Sequence, residues 1–159
     1  MADTIQSIEV LRQAQRFTCA VEELRSCGKI DVTIPSEVNA CIACELYLKY
    51  LRCFEKGDVT TVEEIKQYKH ELCTLYNKLS NEDIKGEIVL RMKLDENSFS
   101  KKLKKIQNNC VNLRYVYQED KITSSFGFMV KLMHVLNEIC ERKENEKIDL
   151  MLKERASEQ

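Results

Sequence analysis

The sequence predicts an all-α fold, an up-down helical bundle of four to five main helices, and three observations carry that expectation. The 159-residue chain has one Pro and four Gly, so little in it breaks helices. Leu, Ile, Lys and Glu, mostly good helix formers, dominate it. Apolar residues recur at helical spacing between capping residues and turn glycines. A single domain of this length buries roughly 70% of the surface its unfolded chain exposes, so it needs neither metal nor disulfide staple.

Asp3 to Cys27 reads as the first helix, with Ile5, Ile8, Leu11, Phe17, Val21 and Leu24 near helical spacing and Gly28 closing it. Lys29 to Pro35 is a connector, because a residue before proline is disfavoured in the α region. Ser36 is the expected N-cap of a second helix that runs to Lys56 and ends at Gly57. Thr61-Val62-Glu63-Glu64 matches a capping box, and the helix it opens runs to Leu79 with a break at Tyr68 to His70. Ser80-Asn81-Glu82-Asp83 caps a short helix to Leu94, and Asp95 to Asn97 forms a turn. Ser98 to Tyr117 reads as one helix with Phe99, Leu103, Ile106, Cys110 and Leu113 inward. Gln118 to Thr123 is a polar loop. Ser124 or Ser125 then caps a last helix carrying Phe126, Met129, Leu132, Met133, Leu136 and Ile139. Beyond Glu141 the chain turns polar. The expected organisation is one bundle over residues 1–145 and a polar helix end or frayed tail over 146–159.

The formal net charge of −1, with 32% charged residues of both signs, excludes a strongly basic nucleic-acid binder but not a local basic patch. The N-terminus lacks the basic start and apolar run of a signal peptide, and no stretch of about 20 apolar residues predicts a membrane span. The expected setting is therefore cytoplasmic, with the eight cysteines reduced and mostly acting as small core hydrophobes. Cys41-x-x-Cys44 is the exception to test. One such pair inside a helix, in a chain with two His, is a weak signal for zinc or redox chemistry.

Several charged and aromatic residues could carry chemistry. Glu45 and Lys49 lie four apart on one helix face, the Glu N-terminal, in the favourable order for an ion pair. Periodicity reads them as a surface pair. The functional alternative is a semi-buried pair that orders a third group such as Arg114. His70 stands where a charged loop becomes an apolar helix and can hydrogen-bond a neighbouring helix or act as a general base. His134 reads as a satisfied or half-exposed helix residue. Arg114 has Tyr115 and Tyr117 beside it, a grouping that can grip a phosphate and stack a base, or simply lock helix packing through Glu45. Lys101, Lys102, Lys104 and Lys105 form a basic run, read first as a solvated face and second as a nucleic-acid patch. No phosphate-cradling Gly-rich loop, Gly-x-Ser-x-Gly elbow, His-Glu-x-x-His motif or carboxylate dyad is present, so neither cofactor nor metal is expected.

Ala43-Cys44-Glu45-Leu46-Tyr47-Leu48-Lys49, then Lys69-His70-Glu71-Leu72, then Leu113-Arg114-Tyr115-Val116-Tyr117 resemble, in order and spacing, the HEPN superfamily of helical nucleotide-binding domains. The resemblance covers residues 5 to 140 and looks closest to small stand-alone bacterial members. It implies a helical bundle that pairs as a homodimer and binds RNA or nucleotide in toxin–antitoxin or phage-defence settings, with an antitoxin or nucleotidyltransferase as partner. Catalytic members are metal-independent RNases in which an Arg steadies the phosphate and a His, after four to six intervening residues, handles a proton. Here Arg114 is followed by Glu119, Asp120 and Lys121, and no His stands at that spacing. The resemblance thus implies a binding module more than an RNase, with a site of Glu45, Lys49, His70, Arg114 and Tyr117. A degenerate RNase using Arg114 and His70, and a structural adaptor bundle, are the alternatives.

Overall fold

The computed structural model describes residues 4–67, 70–107, 109–113 and 126–158, and it is an all-α helical bundle with one small two-stranded ribbon. In chain order, β1 (Thr4–Gln6) runs into α1 (Ser7–Ser26), and a 3-10 turn (Ile30–Val32) runs into α2 (Thr33–Glu55). β2 (Val59–Thr61) leads to α3 (Val62–Gln67), followed by α4 (Leu72–Asn77), α5 (Glu82–Met92), α6 (Glu96–Ile106), α7 (Asn109–Asn112) and α8 (Phe126–Ser157). Among the described residues, five helices have eleven residues or more, which agrees with the expected bundle. No helix among them is long and apolar enough to cross a membrane.

Helix α2 is the axis of the molecule. Its residues Ala40, Cys41, Ala43, Cys44, Tyr47, Leu48, Tyr50 and Leu51 are all buried, so it has an apolar surface on most sides and must be covered on most sides. α1 and α8 pack along it, and α4 and α7 cover further parts. α5 and α6 complete the bundle against α8 and α4. A chain of tilted rings, Tyr76 to Phe99 at 5.0 Å and Phe99 to Phe128 at 5.9 Å, joins α4, α6 and α8. Fully burying a side chain such as Phe99 contributes about 2–3 kcal/mol, so these contacts hold the shorter helices in place.

Local signals act as expected at several boundaries. Glu64 accepts from the Thr61 amide at 3.3 Å while Thr61 Oγ1 accepts from the Glu64 amide at 3.2 Å, a complete capping box. The expected break falls between α3 and α4. Asn81 caps α5 by accepting from the Ile84 amide at 3.1 Å.

The structure corrects four boundaries. Thr4–Gln6 is not helical: it pairs antiparallel with Val59–Thr61, where two β-branched threonines and a valine favour a strand. α2 starts at Thr33, three residues before the expected cap, because Pro35 sits in the first turn, where backbone amides have no helical partner to lose. Ser36 instead bonds back to the Val32 carbonyl at 2.7 Å. α6 begins at Glu96 with Asp95 as its cap and stops at Ile106, so Ser98 to Tyr117 is not one helix. Gln107 is a turn residue and a separate short helix, α7, opens at Asn109, a residue type that favours helix starts over helix interiors. α8 runs to Ser157 without a break, and Glu144 is buried within it, so the chain beyond Glu141 is still part of the bundle for one more turn. The expected caps at Ser124 and Ser125 lie outside the described residues.

The cysteines divide. Cys44, Cys53 and Cys140 are buried free thiols, as expected of core residues, whereas Cys19 and Cys27 are exposed. Cys41 is disulfide-bonded, which departs from the expectation of reduced thiols. Cys44 is free and donates to the Met129 carbonyl, so Cys41 and Cys44 do not form a redox pair with each other.

Candidate functional site

Three of the five residues singled out in the sequence come together. Glu45 and Lys49 face the same side of α2, one turn apart, and their ion pair is 2.6 Å long. Both side chains are only 7% exposed, so this is a buried pair and not the surface pair that periodicity favours. Packing explains the difference, because α4 and its neighbours cover the face of α2 that a lone helix would leave wet. His70 reaches the same carboxylate from the turn before α4, with Nδ1 3.0 Å from both Glu45 oxygens. Arg114 and Tyr117, with Tyr115, lie outside the described residues.

The geometry of His70 has a chemical consequence. Its Nδ1 faces a carboxylate, so that nitrogen carries the proton and Glu45 accepts it. The imidazole is 65% exposed, and Nε2 has no partner among the described residues. A neutral ring held this way presents a proton acceptor at Nε2, and a protonated ring presents a positive donor. Lys49 supplies a fixed positive charge behind Glu45. The buried carboxylate is therefore neutralised whether or not His70 carries a second proton.

Other polar networks close the bundle. Tyr50 donates to Glu144 at 2.9 Å, Lys147 bridges Glu144 and Asp58, and Ser7 donates to Asp58 at 2.7 Å. This chain ties the start of α1, the turn before β2 and the end of the packed part of α8. Burial and the Glu144 carboxylate push the Tyr50 hydroxyl well above its ordinary range. Burial works against the Lys147 ammonium, but the two carboxylates outweigh it and raise its pKa. Tyr47 bonds both Thr18 and Asn137, joining α1, α2 and α8. Burial likewise raises the Cys44 and Cys140 thiols far above reactive values, so neither is a nucleophile.

One groove is lined by none of Glu45, Lys49 and His70. It has a volume of about 780 Å³, and its floor is one stripe of α8 that includes Gly127, Val130, Lys131 and His134. Arg25 at the end of α1, and Arg91 and Lys93 at the end of α5, line it as well. A second groove of about 350 Å³ continues past Gly127, Lys93 and Lys131 to Lys102 and Phe128. Lys102 belongs to the basic run noted in the sequence, and its ammonium lies 6.0 Å from the Phe128 ring centre. His134, half exposed as expected, pairs with Glu22 at 3.0 Å. In the sequence Arg25, Arg91 and Lys93 look like ordinary cations at helix C-termini, where they complement the helix dipole, and nothing there shows that they meet. Among the described residues, no three His, Cys, Asp or Glu side chains gather to hold a metal ion. No family model, curated protein or solved structure matches the chain.

Proposed function

We propose that this chain is a HEPN-like binding module for RNA or nucleotide in which His70 contacts a phosphate, Glu45 orients His70, and Lys49 balances the buried carboxylate. The observation that carries this reading is the shared Glu45 carboxylate, which holds an exposed imidazole in one orientation from a rigid helix. A network serving packing alone has no need to leave the imidazole open to solvent. In this reading Arg114 and Tyr117 supply the main phosphate and base contacts, as the resemblance implies. A second copy of the chain and an antitoxin or nucleotidyltransferase are its partners in a defence or toxin–antitoxin setting.

A second reading draws on the same geometry. A carboxylate on Nδ1 and an Nε2 without a partner among the described residues also suit a general base, with His70 standing in for the His absent after Arg114 in a metal-independent RNase. Labelled RNA distinguishes the two. Binding without cleavage, weakened by salt, abolished by Arg114→Ala and reduced by His70→Ala, supports the binding module. Cleavage lost in both variants supports the RNase. Neither binding nor cleavage, with Arg114→Ala only lowering the melting temperature, leaves an adaptor bundle.

A further inference from the structure

The two adjoining grooves concentrate positive charge in a chain that has almost none in excess. Arg25, Arg91, Lys93, Lys102 and Lys131 line them, against the single carboxylate of Glu138, although the whole chain carries a formal −1. Local neutralisation accounts for part of this set. Arg91 is held by Glu87 and Glu138, Arg25 pairs with Glu22, and Lys131 donates to the Met92 carbonyl at 2.6 Å, covering the end of α5. Lys93 is different. It has no ion pair among the described residues, and it occupies a left-handed backbone position (φ 57°) where glycine is the usual choice. That conformation ends α5, the Lys93 amide donating to the Leu90 carbonyl at 3.0 Å and the Leu94 amide to Val89 at 3.4 Å, and it leaves the ammonium at the groove.

Gly127 lies between the grooves and lines both. A Cβ there would meet nothing within 4 Å, so packing does not require glycine, and its absence of side chain keeps the floor low between the two halves. From Gly127 to Glu138 the α8 stripe spans about 17 Å at 1.5 Å per residue. That length matches roughly five stacked nucleotides at 3.4 Å each. Val130, Val135 and the edge of Phe128 add apolar surface between the cations.

We infer that this trough of α1, α5, α6 and α8 is a second contact surface for a single-stranded RNA, gripping its phosphates without reading its bases. The inference rests on the reading of the module as an RNA binder and assigns the strand a path remote in sequence from His70. A continuous backbone suits the continuous trough, and the few aromatic groups suit electrostatic retention more than base recognition.

The test is fluorescence anisotropy of the full chain with a labelled oligouridylate from about 50 to about 200 mM salt, where the two trough phosphate contacts at Lys93 and Lys102 predict a single-strand slope of about −1.4 and a loss of about 7-fold in affinity. Lys93→Glu with Lys102→Glu should weaken binding at least tenfold and reduce the slope by at least 1. Gly127→Leu should weaken it at unchanged charge, and each variant should melt close to the parent. A control pair on the exposed end of α8, Lys153→Glu with Arg155→Glu, should do much less. If the control pair costs as much, net charge alone explains the effect and the trough is overturned. If binding is lost in His70→Ala but untouched by the trough variants, the proposed function stands and this inference fails. If the parent retains no RNA, or prefers anionic vesicles or polyglutamate, the inference fails. Without retention of RNA or nucleotide in any form, the proposed function fails with it.

Discussion

At the scale of single residues, the decisive group is Glu45. A buried carboxylate between Lys49 and His70 is costly to remove from water and becomes more costly if a partner is lost. Lys49→Met leaves Glu45 with only His70, and Glu45→Leu leaves the Lys49 ammonium buried alone. Each single change is expected to lower stability by about 3–5 kcal/mol. The double variant should recover most of that, because an apolar pair of similar volume suits the interior. Urea unfolding of all four proteins measures this, and additive losses would show that the two side chains do not depend on each other. The double variant also separates stability from function: it should fold while losing the His70-dependent part of nucleotide binding. The sequence showed that Glu45 and Lys49 share a face. It did not show that the face is buried, since burial depends on which helices arrive later in the chain.

At the scale of elements, helix starts are set by short-range chemistry; those of α3 and α5 were readable, whereas Asp95 was read as a turn residue and Ser36 as a cap. Thr61 with Glu64, and Asp95 with Ser98, close their first turns through side-chain and backbone hydrogen bonds. These bonds favour the charged carboxylates. Hydrogen bonds from Thr60, Thr61 and Lys56 hold Glu64 below its ordinary 4.5, and hydrogen bonds from Ser98 hold Asp95 below 3.8. A lowered folded value means the stabilisation is complete above the unfolded pKa and is lost as pH falls through the folded one. Melting temperature should therefore fall between about pH 5 and about pH 2, and Glu64→Gln or Asp95→Asn should make that fall shallower. An unchanged acid limb in both variants would show that other carboxylates set it. Where prediction missed at β1, a longer-range partner intervened. β1 is a strand only because β2 lies beside it, and the same residues read alone continue the apolar period of α1.

At the scale of the whole molecule, α8 closes the bundle through Glu144 and Lys147 and then extends past it. Residues 148–158 are exposed, so deleting 150–159 should shift the melting temperature by less than about 2 °C. Deleting 144–159 removes the acceptor of Tyr50 and the bridge to Asp58. At about 1 kcal/mol per lost hydrogen bond this should lower it by roughly 5–10 °C. Differential scanning fluorimetry of the two truncations tests where the packed part of the helix ends. Equal melting temperatures would mean that the Tyr50–Glu144–Lys147–Asp58 chain contributes nothing.

By itself the sequence determined the helical class, the caps of α3 and α5, the break before α4 and the shared face of Glu45 and Lys49. All of these follow from spacing and local hydrogen bonding, which operate over a few residues. Only the tertiary structure decided that the Glu45–Lys49 pair is dry, that His70 binds it from another element, and that cations from the ends of α1 and α5 border one stripe of α8. Those outcomes come from packing between segments far apart in the chain, and helical periodicity does not specify which neighbour covers a given face.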